Sequence, residues 1–416
     1  MSQKSASIVD QWIDKAEDES YTARHECSFV QAGDKFILFG GRESAQKLDV
    51  YDFKTNSWST GGSAPKEFNH FQATSYQGFV WVIGSFKTNA FPKEIPEENI
   101  WLYHPVTEKW IKGPEIPEDR RRGGAGLVVY NNKFYLLGGN TIGHNGGFVN
   151  WFDEYDPYTN TWTVLEDAVH ARDHFQAAVI DHTLYAVAGR QSGGANGVFK
   201  PLIREVELYD FQTKSWSILE NDLPTPRAAP CTVFFNGELL VIGGEGEKKG
   251  PAYKLVEALN PQTKTWSRKA DMKYSRHGTQ AILSGEGIYL AAGSPLRGGG
   301  KQWNMEVYNA DKPKGKALVA SSLKAPKRRG IKTGSTSNIL VKNKKGNTGS
   351  FITAVTIDGP HKDQFKIASA PNLQLITTKG KFTIEVQHLG QTKGAQADLK
   401  IVYNGDSEVV VKLVSK

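Results

Sequence analysis

Runs of alternating apolar and polar residues recur along most of the chain, broken by glycine, asparagine and proline. SFVQAGDKFILFGG (28–41), GLVVYNNKFYLLGG (126–139) and TVFFNGELLVIGG (232–244) each read as strand, two- or three-residue turn, strand, glycine. The spacing of landmarks shows that these are copies of one unit. Five positions precede a tryptophan by seven residues: Tyr51/Trp58, Tyr103/Trp110, Tyr155/Trp162, Tyr209/Trp216 and Leu259/Trp266. Turn sequences such as YDFKTNSW and YDPYTNTW run between them and suit tight hairpins. Counting Trp12, successive landmark tryptophans lie 46, 52, 52, 54 and 50 residues apart. Gly40, Gly84, Gly138, Gly189, Gly243 and Gly293 follow them at 28, 26, 28, 27, 27 and 27 residues. Such a period predicts an all-β repeat architecture with four strands, a to d, per unit.

The Tyr and Trp side chains are expected to pack as core between neighbouring sheets rather than to hold a cofactor. Gly-Gly, Tyr and Trp recurring in this order at a period near 50 resemble the kelch repeat, over roughly residues 8–310. The resemblance implies a β-propeller with one four-stranded blade per repeat. Gly84-Ser85, Gly189-Arg190 and Gly293-Ser294 keep one glycine of the pair, and Leu259 stands where Tyr is usual. The two ends complement each other, since Trp12 lacks its upstream Tyr and Tyr308 lacks its downstream Trp. We therefore expect a six-bladed propeller whose last blade takes strands a–c from about residues 277–309 and strand d from about residues 9–14. That closure leaves no unpaired edge.

Charge changes the picture at the C-terminal end. Residues 317–416 hold 16 Lys/Arg against 6 Asp/Glu, whereas residues 1–316 hold 35 against 38, and all ten Trp precede residue 317. The expected division is a propeller over 1–311, a connector with a first edge strand over 312–335, and a small β-sandwich over 336–416. Val341-x-Asn343 with Gly346, VTIDGPHKDQFKI and GAQADLKI resemble immunoglobulin-like modules of the abnormal-spindle/hydin and choice-of-anchor type. That resemblance implies a noncatalytic spacer or adhesion unit and a modular, secreted or cell-surface bacterial protein. The scattered lysines read as a solvated surface, not a nucleic-acid site. No apolar run is long enough for a membrane helix, and two cysteines exclude a disulfide scaffold and a Cys-built zinc site.

The b–c loops are long and varied and the c–d turns short, so binding is expected on the face formed by the b–c and d–a loops. Each unit enters strand a through basic or imidazole residues: Arg24, His25, His70, Arg122, Arg172, His174, Arg227, Arg276 and His277. Guanidinium forks suit carboxylate, sulfate or phosphate, but the same residues could equally tie loop carbonyls together. Trp151 and Trp303 add rings in the b–c loops, where they could stack on a ligand or anchor the loop. The expectation is a noncatalytic binding protein for an acidic glycan or a protein partner. The alternative is an enzyme of mutarotase, epimerase or lyase type acting on an anionic sugar in the same funnel. No G-x-S-x-G, phosphate-cradling loop or H-E-x-x-H occurs, and the sequence implies neither a metal nor a cofactor.

Overall fold

The structure, a computed structural model, describes residues 8–43 and 46–416; the first residues of the expected 1–311 division lie outside these. The described residues contain strands and four short 3-10 turns but no α-helix, and no helix is long and apolar enough to cross a membrane. The repeat region forms six four-stranded sheets, each in the order a-b-c-d. Units 1 to 5 are continuous in sequence, starting at Cys27, Thr74, Gly126, Ala177 and Cys231. Unit 6 takes Ile282–Ser284, Gly287–Ala291 and Asn304–Asn309 from one end of the repeat region and Trp12–Glu17 from the other. Trp12 pairs in register with Tyr308. This is the same register that joins Tyr51 to Trp58, Tyr103 to Trp110, Tyr155 to Trp162, Tyr209 to Trp216 and Leu259 to Trp266. The Tyr and Trp rings of each such pair lie 4.9–5.2 Å apart.

The sheets meet at a ring of peptide groups. His70 N donates to Glu26 O, Gly124 N to His70 O, His174 N to Gly124 O, Ala229 N to His174 O and Gly278 N to Ala229 O, at 2.6–3.0 Å. Cys27 N closes the ring on Gly278 O at 3.2 Å. All six equivalent residues are left-handed, with φ from 49° to 66°, although only two of them are glycine. A left-handed conformation costs an L-residue roughly 1–2 kcal/mol, so the ring imposes one backbone shape on four unwilling residues. Below it, Gln72, Gln176 and Gln280 of units 2, 4 and 6 reach across the channel to Ala177 O, Thr279 O and Ala73 O at 2.7–3.0 Å. These glutamines tie units 2, 4 and 6 together across the axis.

Residues 322–416 form a four-stranded and a five-stranded sheet around one apolar core that includes Ile339, Val341, Ile384, Leu399, Ile401 and Val411. Ser322–Lys324 and Arg328–Ile331 supply one strand to each sheet, the second running parallel to Ser407–Ser415. Both lie in the stretch read from sequence as connector and edge strand. The two regions share apolar core, because Phe351 and Leu375 pack with Phe79 and Trp81. Gly349 N donates to Gln77 O and Leu375 N to Pro157 O, at 2.6 and 2.8 Å, and Lys109 pairs with Asp406. Gln77, Pro157 and Lys109 all sit in a–b or c–d turns or at their edges. The C-terminal sheets thus cover part of that face, opposite the b–c and d–a loops.

Candidate functional site

The five arginines expected around the mouth are instead sealed into the sheets. Arg24, Arg122, Arg172, Arg227 and Arg276 are at most 1% exposed. Each pairs with the carboxylate two residues before its unit's Tyr position: Asp49, Asp153, Glu207, Glu257 and Glu306, at 2.5–2.8 Å. Each also donates to main-chain carbonyls of its own unit, as Arg24 does to Gly40 O and Lys47 O at 3.0 and 2.8 Å. These guanidiniums staple strand c to the entrance of strand a, and burial lowers the pKa of Arg122 to about 10 even beside Asp153. They lie inside the sheets and not around the mouth, which corrects the reading that placed them in a binding collar and leaves the structural tie that the sequence also allowed. Unit 2 carries the apolar counterpart: Phe68 replaces the arginine, Trp101 the acid, and the rings pack 6.2 Å apart.

Trp151 and Trp303 are half-buried supports rather than rim platforms. Arg120 and Arg122 stack over Trp151 at 4.4 and 5.5 Å. Trp303 packs against the core shared by units 1 and 6. His25 and His277 are also buried. His25 Nδ1 lies 2.8 Å from Glu43, which raises its pKa against the effect of burial. His277 sits between Glu26 and Glu245, at 3.6 and 3.4 Å.

His70 and His174 occupy the equivalent left-handed positions of units 2 and 4, so the fold aims both rings at the head of the channel. A third imidazole joins them, which the sequence reading missed. His144 comes from the 3-10 turn Gly143–Asn145 of the unit 3 b–c loop. One ring nitrogen of each of the three lies within 4.8 Å of the others, and the ring centroids are 4.7–4.9 Å apart. Nδ1 of each has its own oxygen partner: Asn69 Oδ1 for His70 at 2.6 Å, Glu94 Oε1 for His144 at 2.9 Å, and Asp173 Oδ1 for His174. Burial, aided by nearby cationic groups, holds His70 well below the usual imidazole range. Burial likewise pushes His144 down to about 4 against the pull of Glu94. Despite its own partial burial, Glu94 is drawn well below the carboxylate range by His144 and Arg42. One sequence signal pointed here: His-Phe-Gln-Ala occurs at 70–73 and again at 174–177, 174 − 70 = 104 residues or two periods apart.

Above these rings a cavity of about 90 Å³ is lined by Glu26, Arg42, Phe91, Arg190, Phe199 and Glu245, among others. Arg190 pairs with Glu245 and lies over Phe199 at 5.1 Å, and Arg297 lies over the same ring at 4.1 Å. Around the cavity the loops expose Phe91, Ile95, Ile142 and Leu296, each 48–60% accessible. Among the b–c loop residues 85–99, 140–154, 190–205, 245–254 and 294–304, the exposed charged side chains are Lys93, Lys200, Arg204, Lys248, Lys249, Lys254 and Lys301, against Glu247 alone, while the d–a segments expose Glu118, Asp119, Glu166, Asp167, Glu220 and Asp271.

A family model described as the KLHDC2/KLHL20/DRC7 kelch-repeats domain matches residues 116–293. The chain is 26% identical over 296 residues to the kelch-like protein terF of Aspergillus terreus, spanning 66% of this chain and 62% of that protein. It is also 26% identical over 276 residues to kelch-like protein 25 of Xenopus tropicalis, spanning 63% of this chain and 43% of that one. The chain thus spans less than two thirds of these relatives' own length. The solved structure of YjhT matches 69% of this chain and 95% of its own with a TM-score of 0.59 at 15% identity, a likeness of fold. With the repeated four-stranded sheets, these findings support a kelch β-propeller for the repeat region. The curated relatives are fungal and animal proteins, which lends no support to the bacterial, secreted or carbohydrate-binding expectation.

Proposed function

We propose that this chain is a noncatalytic interaction protein: a closed six-bladed kelch propeller, carried on an immunoglobulin-like module, that binds an acidic segment of a partner protein on its b–c/d–a face. The observation that carries this reading is the composition of the rim. In the b–c loops of units 2 to 6, exposed apolar side chains at Phe91, Ile95, Ile142 and Leu296 stand among seven exposed cations and one exposed anion, whereas the exposed acids of this face lie in its d–a segments. Such a surface offers apolar anchors at its centre and long-range attraction for acidic chains at its edge. The kelch likeness supports a binding role, and the C-terminal sheets cover part of the opposite face. The test is binding of the full chain to arrays of acidic peptides and of uronic- and sialic-acid glycans, beside the variant Lys93→Glu/Lys248→Glu/Lys249→Glu. Acidic peptides should bind the wild type, and the triple reversal should weaken them by roughly tenfold or more at low salt, mainly through slower association. Unchanged peptide binding in a folded triple variant, or capture of glycans alone, would overturn the reading.

A further inference from the structure

We propose that His70, His144 and His174 bind one divalent transition-metal ion, zinc being the best fit, through their Nε2 atoms at the head of the channel. The argument starts from the outer side of each ring. Glu94 and Asp173 are carboxylates that only accept hydrogen bonds and so favour the proton on Nδ1 of His144 and His174; for His144 the Glu94 contact at 2.9 Å outweighs the donor Arg42 Nη2, farther off at 3.4 Å. Asn69 Nδ2 donates to Glu67 O and Thr88 O at 3.1 and 2.9 Å, which leaves Oδ1 to accept from His70 Nδ1. All three rings therefore turn Nε2 inward. Oxygen acceptors behind Nδ1 are the arrangement that fixes the tautomer and orientation of metal-binding histidines.

The inner side lacks anything to satisfy those nitrogens. With the protons on Nδ1, His144 Nε2 and His174 Nε2 face each other at 3.2 Å as two acceptors. His70 Nε2 is buried without a hydrogen-bond partner, in a side chain only 3% exposed. A cation among the three nitrogens resolves both conflicts. With Zn–N bonds of about 2.0–2.1 Å in a tetrahedron, neighbouring nitrogens lie roughly 3.3 Å apart, the spacing already present between His144 and His174. Imidazole donors suit zinc, copper, iron and nickel, and zinc accepts the set without demanding a planar geometry. Glu26 holds a carboxylate oxygen 3.6 Å from His70 Nε2. The adjoining cavity, lined by Glu26, His70 and His174 among others, has room for water. The fourth position thus falls to Glu26 or to a water. The ion would join units 2, 3 and 4 at the floor of the mouth.

The test uses the full chain, stripped with a chelator, dialysed and titrated with Zn²⁺, and with Co²⁺ as an optical probe. We expect one ion per chain and the visible absorption of tetrahedral Co²⁺. His144→Gln, on a loop rather than a strand, should abolish both. Glu94→Gln, which leaves all three imidazoles in place, should weaken affinity by about 10–100-fold. His182→Gln, an exposed histidine on the opposite face, should change neither. The proposal fails if the wild type takes up no stoichiometric Zn²⁺, or if a folded His144→Gln variant binds as tightly as the wild type. Should the histidine variants not fold, wild-type stoichiometry and the Glu94→Gln affinity still decide.

Discussion

Replacing Arg227 by Met in unit 5 tests whether the buried arginines are staples of the sheets. Arg227 Nη1 donates to Glu257 Oε2 at 2.5 Å and to Thr225 O at 2.6 Å, and Nη2 donates to Val241 O at 2.8 Å. The two side chains are 0% and 4% exposed, so solvent screening is slight. Without the guanidinium, Glu257 keeps only the Thr225 hydroxyl and becomes an uncompensated buried charge. That alone costs about 3–5 kcal/mol, and each abandoned carbonyl adds about 1 kcal/mol or more. The loss is a large share of an ordinary domain's stability of roughly 5–15 kcal/mol. The second variant, Arg227→Met/Glu257→Leu, removes the stranded charge as well, as the protein itself does with Phe68 and Trp101. It should recover about 2 kcal/mol or more of the single variant's loss. Urea unfolding followed by tryptophan fluorescence is the suitable assay, because all ten Trp precede residue 317 and report on the repeat region. The reasoning fails if Arg227→Met costs less than about 1 kcal/mol, or if the double variant is no more stable than the single.

Two further outcomes follow from the ends of the ring and from its mouth. Trp12 is 7% exposed, donates to Ala270 O at 2.9 Å and packs on Tyr308, so Trp12→Ala should cost about 3–5 kcal/mol in the same urea assay; a loss below about 1 kcal/mol would mean that the N-terminal strand does not hold the ring shut. Glu245 is faced by Arg190 Nη1, His277 Nε2, Gly298 N and, at longer range, Glu26; burial alone would raise its pKa, but the first three override it and bring the carboxyl down to about 2. A depressed carboxyl stabilises the fold above its unfolded pKa of about 4.3, and the contribution fades as pH falls toward 2. Melting temperatures across this range should therefore show a Glu245→Gln deficit that is full above pH 4.5 and vanishes near pH 2; a deficit independent of pH would refute the assignment.

What could be read from the sequence was what the fold repeats. Tyr and Trp meet in register in every unit that has both, because a hairpin of fixed length puts them opposite each other, and the unmatched Trp12 and Tyr308 pair by the same register. The arginines were equally periodic, and their fate was encoded too. Each has an acid two residues before the Tyr position, and the unit that lacks the arginine, with Phe68, also lacks the acid, with Trp101. A residue whose partner changes with it inside one chain is bound to that partner, so the covariation argues for a staple against a ligand contact. The histidine cluster stayed hidden because it breaks the period. His70 and His174 sit two units apart at positions where units 1, 3, 5 and 6 have Glu26, Gly124, Ala229 and Gly278. His144 stands on a loop whose path depends on Glu94 in a neighbouring loop. A propeller spends its repeated residues on making the sheets alike and joining them. Chemistry at the axis requires unlike residues from different units to converge, so the departures from the repeat are where a site on such a scaffold must be sought.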